Sequence, residues 1–410
     1  MKNKFVQAFS LRKRQDDRKI NFGSIFKLDK TCWVILISVL LLAVFGCVMV
    51  YSASYYSSSL AGNKYRYLIK QIVGVVLGIA GMMFFSIFPY QNLKKFKWWA
   101  VVISILLLAC VFIPGIGIEN YGARRWIGLG VFSFQPSEIA KFALVLFCAC
   151  HLSEHYDNVK SFKALVPVLL VGGIFCVMVI LEPNMSITMC IAITLIVMLF
   201  VGGISFKHFS CLAVPSMAMV PVLIFMEPYR IKRLMAFLDP WASPKGEGFQ
   251  LIQSLYALGS GGLFGVGLFC SRQKYLFLPF CESDFIFSII GEELGFFGAI
   301  AVLVVFLTLV IFLIKTACSA KDRFGCLLAV GVATVIAVQV LINVAVVTGS
   351  IPPTGLPLPF VSAGSTSLVV FMSAIGVCIN IRKSSKECAF DEVPKGKKKT
   401  VLASGVDVQV

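Results

Sequence analysis

Residues 278–295 read Leu-Pro-Phe-Cys-Glu-Ser-Asp-Phe-Ile-Phe-Ser-Ile-Ile-Gly-Glu-Glu-Leu-Gly, and they decide how the chain is understood. They set Asp284, Glu292 and Glu293 at the head of an apolar run that continues to Ile314. A run of that length enters a bilayer, where each carboxylate costs a few kcal/mol on insertion scales. Such groups are kept where they pair, face a wet cavity or do chemistry.

The rest of the sequence agrees that a bilayer is the solvent. Of 410 residues, 58% are hydrophobic and 14% charged, with a mean hydropathy of +0.89. That is the balance of a polytopic membrane protein and not of a soluble domain. The expected fold class is all-α. Windows of about 20 apolar residues place ten spans near 32–53, 67–88, 98–114, 138–152, 164–181, 186–204, 209–226, 285–314, 325–348 and 366–381. Ten spans put both termini on one side.

The first 30 residues are basic and too long for a signal peptide. The expected organisation is a cytoplasmic tail over 1–30, a membrane unit over 31–382 with a large outer loop at 227–283 between spans 7 and 8, and a second cytoplasmic tail over 383–410. Lys94, Lys95, Lys97, Lys160, Lys163, Lys315, Lys321 and Arg323 then fall in cytoplasmic connections, as the positive-inside rule requires. The formal charge of +17 therefore reads as anchoring, since the basic residues are scattered between spans and form no nucleic-acid patch. Fourteen Cys contain no CxxC pair, so neither a disulfide frame nor a metal site is indicated.

The outer connections are basic too. Gly-Ala-Arg-Arg-Trp-Ile-Gly (122–128) carries Arg124 and Arg125, and the long loop carries Arg230, Lys232, Arg233, Lys245, Arg272 and Lys274. Outward cations run against the positive-inside rule, and an anion such as a pyrophosphate explains them, for which Arg forks are well shaped. Snorkelling at the interface is the alternative for any single one. Within the long loop, 250–259 reads as a short interfacial helix. The glycine-rich run 259–267 lacks the Lys-Ser/Thr of a P-loop and reads as a flexible re-entrant turn. Residues 348–367 pack four prolines and three glycines between two spans. No regular helix survives that, and irregular backbone at such depth lines a cavity or is buried in protein.

Asp284 falls at the start of the eighth span, where the helix dipole favours an ionised carboxylate, which suits a base or a metal ligand. Glu292 lies about 80° from it around a helix and Glu293 on the opposite side. Both are expected to hold buried cations, with Lys70, Lys141 or an outer Arg as partner. Glu138 and Lys141, three apart, share a face and can pair. All three His residues (His151, His155, His208) fall on the cytoplasmic side, leaving no outer triad or zinc site. Catalysis on the outer side would rest on carboxylate and cations.

Taken together, these segments resemble the SEDS family, the shape, elongation, division and sporulation proteins typified by FtsW, RodA and SpoVE. The likeness covers about residues 30–382. It is carried by Gly-Ala-Arg-Arg-Trp-Ile (122–127), Gln-Pro-Ser-Glu (135–138), Glu-Pro-Asn (182–184), Arg230, Arg233 and Phe-Leu-Asp-Pro (237–240). Gln253, Ser254, Gly-Ser-Gly-Gly-Leu-Phe-Gly (259–265), Asp-Phe-Ile-Phe (284–287), Gly-Glu-Glu-Leu-Gly (291–295) and Pro-Pro-Thr-Gly-Leu-Pro-Leu-Pro-Phe (352–360) complete it. Two places depart from the family pattern. Phe280 follows Pro279 where an acid is usual, the acid appearing at Glu282, and Gly364-Ser365 replaces paired glycines.

The resemblance implies a peptidoglycan glycosyltransferase, multi-pass in the bacterial cytoplasmic membrane, that polymerises lipid II at the outer face with a class B penicillin-binding protein and other division proteins. It implies that Asp284 is the catalytic base and that the reaction inverts the anomeric centre. Arg124, Arg125, Arg230, Arg233 and Lys141 are expected to bind substrate, with Glu138, Glu292, Glu293 and Lys70 supporting. A divalent cation, Mg or Mn, is a further expectation for the leaving pyrophosphate. The N-terminal tail and the Ile-Pro-Pro-Thr-Gly run favour the FtsW-like or SpoVE-like branch for division or sporulation. A flippase for the lipid-linked precursor is the alternative function, and it would need polar groups continuous through the bilayer.

Overall fold

A computed structural model describes residues 29–120, 123–129, 132–159 and 161–391. Gly122, Lys160 and most of both basic tails, including Lys397–Lys399, lie outside the described residues. Twelve α-helices and one small sheet make up the described chain. In order they are α1 (Lys30–Leu60), α2 (Arg66–Ile87), α3 (Lys97–Cys110), β1 (Gly117–Asn120), β2 (Ala123–Leu129), β3 (Phe132–Phe134), α4 (Pro136–Glu154), α5 (Phe162–Leu181), α6 (Met185–Val201) and α7 (Phe206–Phe225). Then come α8 (Pro228–Leu238), α9 (Phe249–Gly261), α10 (Ile286–Cys318), α11 (Arg323–Val347) and α12 (Ser365–Asp391).

Each of the ten expected spans coincides with a helix. Seven are long and apolar enough to cross a membrane. The other three, α3, α6 and α7, run 14, 17 and 20 residues. The chain passes alternately between two ends of the bundle. Its described termini meet at one of them, where Arg382 pairs with Asp29 at 2.8 Å. The three His residues sit at that same end, His151 stacked on His155 and His208 beside Phe162.

Helix α4 is the axis of the bundle and the most deeply buried of the seven spans. Helices in lipid gain little from burying more apolar surface, so close contact depends on small residues that let backbones approach. Helices α2 and α12 show this. A Cβ at Gly74 would lie 2.8 Å from the Ser365 Cα, and one at Gly376 would lie 2.4 Å from the Met82 carbonyl. No larger residue fits at either position without moving backbone. In the same way Gly46 of α1 brings that helix against the 348–364 loop, a Cβ there lying 2.6 Å from the Phe360 carbonyl.

Two elements at the other end were not expected. Helix α8 begins on Pro228 at its first turn, a position that proline favours, but it is too polar for a hydropathy search to find. The sheet is an antiparallel meander, β1–β2–β3, with Gly117 opposite Ile127 and Ile127 opposite Phe134. Both elements hold Arg residues, and both lie at the end where α10 begins.

Candidate functional site

The site is built around the turn that precedes α10. Phe280 takes a left-handed conformation, φ 56°, which is rare for a bulky side chain and marks stored strain. It lets the amides of Ser283 and Phe285 both donate to the Phe280 carbonyl, at 3.1 and 3.3 Å. The position that departs from the family pattern is thus the pivot of the turn that presents Asp284.

Three successive carbonyls of that turn are then pinned from other parts of the chain. The Ala363 amide donates to Glu282 O at 2.9 Å. Ser362 Oγ donates to Ser283 O at 2.6 Å. Asn343 Nδ2, from α11, donates to Asp284 O at 2.8 Å and to Leu356 O at 2.7 Å. The proline-rich loop therefore clasps the aspartate. Its Gly355 passes so close that an added Cβ would lie 2.7 Å from Asp284 Oδ2.

Asp284 is half-buried, and loss of water around its carboxyl raises its pKa to about 6 against the opposing pull of Arg125 and then Arg233. The helix-dipole expectation does not hold. Asp284 lies two residues ahead of α10 and makes no cap on it, and loss of water outweighs whatever the helix end supplies. A carboxyl near 6 is ionised at neutral pH and basic enough to accept a proton, which matches the working range of a general base.

Arg125 and Arg124 part company because neighbouring strand residues point to opposite faces. Arg124 pairs with Glu119 of the adjacent strand at 3.1 Å, on the exposed side of the hairpin. Arg125 turns inward. Its Nε donates to the Glu182 carbonyl at 3.1 Å and its Nη2 to that of Pro183. Burial lowers its pKa, and Arg233, Asp284 and Glu182 act on its charge. Arg233, on α8, donates to Pro353 O at 3.0 Å and lies 4.5 Å over the Tyr229 ring. Arg230 shares its face of α8, three residues earlier, and is half-buried.

Glu182 adds a group that the sequence offered only as part of a motif. It is wholly buried, and neither of its carboxyl oxygens has a hydrogen-bond partner in the described structure. Burial raises its pKa to about 8, Arg125 opposing. It is therefore largely neutral at pH 7 and leaves the charge of Arg125 uncancelled.

Behind the turn runs a buried polar chain. Lys141 donates to Glu138 Oε1 at 2.9 Å and to Gln339 Oε1 at 2.5 Å. Gln339 Nε2 donates on to Pro357 O at 2.8 Å, and Ser367 Oγ to Glu138 Oε2 at 3.0 Å. Lys141 is 1% exposed and both its bonds are to protein, so it braces the proline-rich loop and does not reach into open space. The expected pairing of Glu138 with Lys141 is present, while substrate contact by Lys141 finds no support here. Lys70, half-buried on α2, forms no ion pair among the described residues.

Of the two acids expected to hold buried cations only Glu293 does so, and its cation is Lys274 and not Lys70, Lys141 or an Arg. Glu292 pairs with no cation among the described residues. Lys274 Nζ donates to Glu293 Oε1 at 3.0 Å, to Ser52 Oγ at 3.2 Å and to Phe269 O at 2.6 Å. Glu292 accepts from Ser271 Oγ and from the amides of Arg272 and Gln273. Both acids thus fasten the outer loop to α10. As for a divalent cation, no three His, Cys, Asp or Glu side chains converge as ligands among the described residues. The described residues therefore form no protein-only cage for Mg or Mn, and such an ion would take part of its shell from substrate phosphates.

Comparison with known proteins places this arrangement. Residues 32–387 match the FtsW/RodA/SpoVE model, described as a cell cycle protein. The chain is 41% identical over 357 residues to stage V sporulation protein E of Bacillus subtilis, covering 86% of this chain and 97% of that protein. It is 39% identical to a probable peptidoglycan glycosyltransferase FtsW of Geobacter sp., covering 85% of this chain and 95% of the other. Among solved structures, a chain from work on polymerisation and crosslinking by a peptidoglycan synthase complex superposes with a TM-score of 0.71 at 26% identity, over 88% of this chain and 99% of that one. The rod shape determining protein RodA of Thermus thermophilus gives 0.65 at 23% identity over the same shares and supports the fold. With a family model spanning most of its length, the chain belongs to the FtsW/RodA/SpoVE family of membrane proteins.

Proposed function

We propose that the chain is a peptidoglycan glycosyltransferase that polymerises lipid II by a single inverting displacement with Asp284 as general base. The observation that carries this reading is one desolvated carboxylate, clasped by a proline-rich loop, with Arg125 and Arg233 as its nearest influential cations. Asp284 takes the proton from the acceptor sugar hydroxyl as that oxygen attacks the anomeric carbon. The bond to the undecaprenyl pyrophosphate breaks on the opposite face, so the α-linked donor becomes a β-linked product. The pyrophosphate gains negative charge as it leaves, and Arg125 and Arg233, half-buried and held by carbonyls, stabilise that charge with little reorganisation. Arg230 adds to the same field. Arg124 stands outside it, committed to Glu119.

The end of the bundle that carries Lys94, Lys97, Lys163, Lys315 and Arg323 is the cytoplasmic one under the positive-inside rule. The membrane unit over 31–382 then has both tails, 1–30 and 383–410, in the cytoplasm and the site at the outer face of the cytoplasmic membrane. There it meets a class B penicillin-binding protein and other division or sporulation proteins. The buried polar side chains around Asp284, Lys141 and Lys274 all gather towards the site end. That distribution supports polymerisation over a flippase, which needs polar groups through the whole bilayer.

The test uses purified chain, a class B penicillin-binding partner and labelled lipid II in detergent, where transport cannot be scored. Glycan chains are expected from the wild type and not from Asp284→Asn. Equal polymerisation by the variant would remove Asp284 from the chemistry.

A further inference from the structure

The loop between α9 and α10 is built inside out. Two of its polar side chains, Ser271 and Lys274, are buried against Glu292, Glu293 and Ser52, while Arg272 stays exposed. Its large apolar side chains face away: Leu263, Phe264, Leu268, Phe269, Leu276 and Phe277 are all exposed, Phe264 by 80%. A loop that lies in water shows the opposite arrangement.

Its backbone is also prepared for a dry setting. Helix α10 is broken at Gly295 (φ 69°, ψ −169°), which frees amides and carbonyls on either side. The loop takes them up. Val266 and Gly267 donate to the carbonyls of Glu292 and Glu293 at 3.0 and 3.1 Å, and Phe296 and Phe297 donate to those of Gly262 and Leu263 at 2.9 and 3.2 Å. Mutual pairing of the groups freed at the break is what non-helical backbone needs close to the hydrocarbon.

The break also locates the bilayer. From 296 to 314 the helix is uninterrupted and apolar, about 28 Å at 1.5 Å per residue, close to the thickness of a hydrocarbon core. Phe297, Ile300, Val304, Leu307, Ile311 and Ile314 form an exposed stripe along it at alternating spacings of three and four, which is its lipid face. Phe264 of the loop packs on Phe297 at the head of that stripe, ring centroids 5.4 Å apart. The apolar face of the loop is therefore a lateral continuation of a surface that lipid already covers.

We propose that residues 262–277 form a hairpin lying at the bilayer interface on the site side, its exposed apolar side chains dipping into the acyl chains of that leaflet. Exposed Arg272, whose amide donates to Glu292 ahead of the break, lies at the level of the headgroup phosphates. The hairpin is an anchor. It fixes the start of α10, and with it the turn that carries Asp284, at a set height above the hydrocarbon, at most roughly 15 Å along the helix from Phe296. This inference concerns lipid contact alone and stands whether or not the chemistry assigned to Asp284 is right.

The experiment places a photoreactive benzoylphenylalanine at Phe264, at Leu307 in the lipid-facing stripe, or at exposed Lys245 of the same outer region. Each full-length variant is reconstituted alone into phosphatidylcholine–phosphatidylglycerol vesicles, irradiated, and weighed intact by mass spectrometry. Lipid adducts are expected at Phe264 and Leu307 and not at Lys245. Adducts at Leu307 with Phe264 as clean as Lys245 would overturn the proposal and assign this face to a protein partner instead. Leu276, on the same face, is a second probe position read by the same criterion should the Phe264 variant fold poorly.

Discussion

Asp284 and Glu293 lie nine residues apart in one stretch, and the fold treats them in opposite ways. Glu293 is given a full cation, a hydroxyl and a backbone amide, from Lys274, Ser52 and Ser271. Asp284 is held by its backbone carbonyl while its carboxyl is left desolvated between two guanidinium groups that are themselves tied to carbonyls. One acid has its charge spent on structure and the other has it kept available. In a bilayer-embedded chain a committed cation partner on the carboxylate, more than its depth, separates a brace from a reactive group.

That contrast is open to attack at both ends. The largest effect is expected from Asp284→Asn, with kcat for glycan synthesis falling about 10²–10⁴-fold, as for loss of a general base, while the melting temperature holds. A variant that instead melts early would make Asp284 a brace like its neighbour. Glu293→Ala should do the reverse. It strands Lys274 in a buried site and lowers stability by roughly 3–5 kcal/mol, and adding Lys274→Met should restore most of the loss. Thermal unfolding in detergent reads both variants.

The twin arginines sharpen the same point on a smaller scale. Arg125→Ala removes charge-assisted bonds of about 1.5–3 kcal/mol, so kcat/KM should drop about 10–100-fold. Arg124→Ala loses only an exposed ion pair, about 0–1 kcal/mol, and should pass almost unnoticed in the same assay. Equal losses would show that the hairpin acts as a unit. The smallest effect is in the pH profile. The base must be ionised, so the acid limb of activity should fall through pH 6, where an ordinary carboxylate would hold out nearly two units lower. Removing Arg125 takes away a favourable positive charge and should move that limb upward. Glu182→Gln imitates the neutral form and should leave the rate at pH 7 close to wild type.

What the sequence disclosed follows from the range of the forces involved. Hydropathy acts residue by residue, so all ten spans could be read from windows, and Asp284 stood out as an acid where none is cheap. Helix α8 escaped because its signal is amphipathic and polar, and the β-meander because its strands are short. The partners of the site residues escaped for another reason. Ser52 meets Glu293 across 241 positions and Asn343 reaches back 59 to Asp284, and no local pattern announces such contacts. Lys274 looked like one more outer-loop cation, and nothing in its neighbourhood reveals that it is swallowed by the fold. The dipole argument for Asp284 went wrong because burial cannot be judged from a helix start alone.

The glycine-lined contact between α2 and α12 sets the order in which this protein can become competent. Gln71, on α2, joins the Ser362 carbonyl across 291 residues, and Ser362 is the residue that pins the turn ahead of Asp284. Every earlier span can enter the bilayer while the clasp is still missing its closing helix. A contact of such sequence separation forms late and slowly. During synthesis the carboxylate is therefore made well ahead of Ser362 and Ala363, and its turn stays unheld until they are in place.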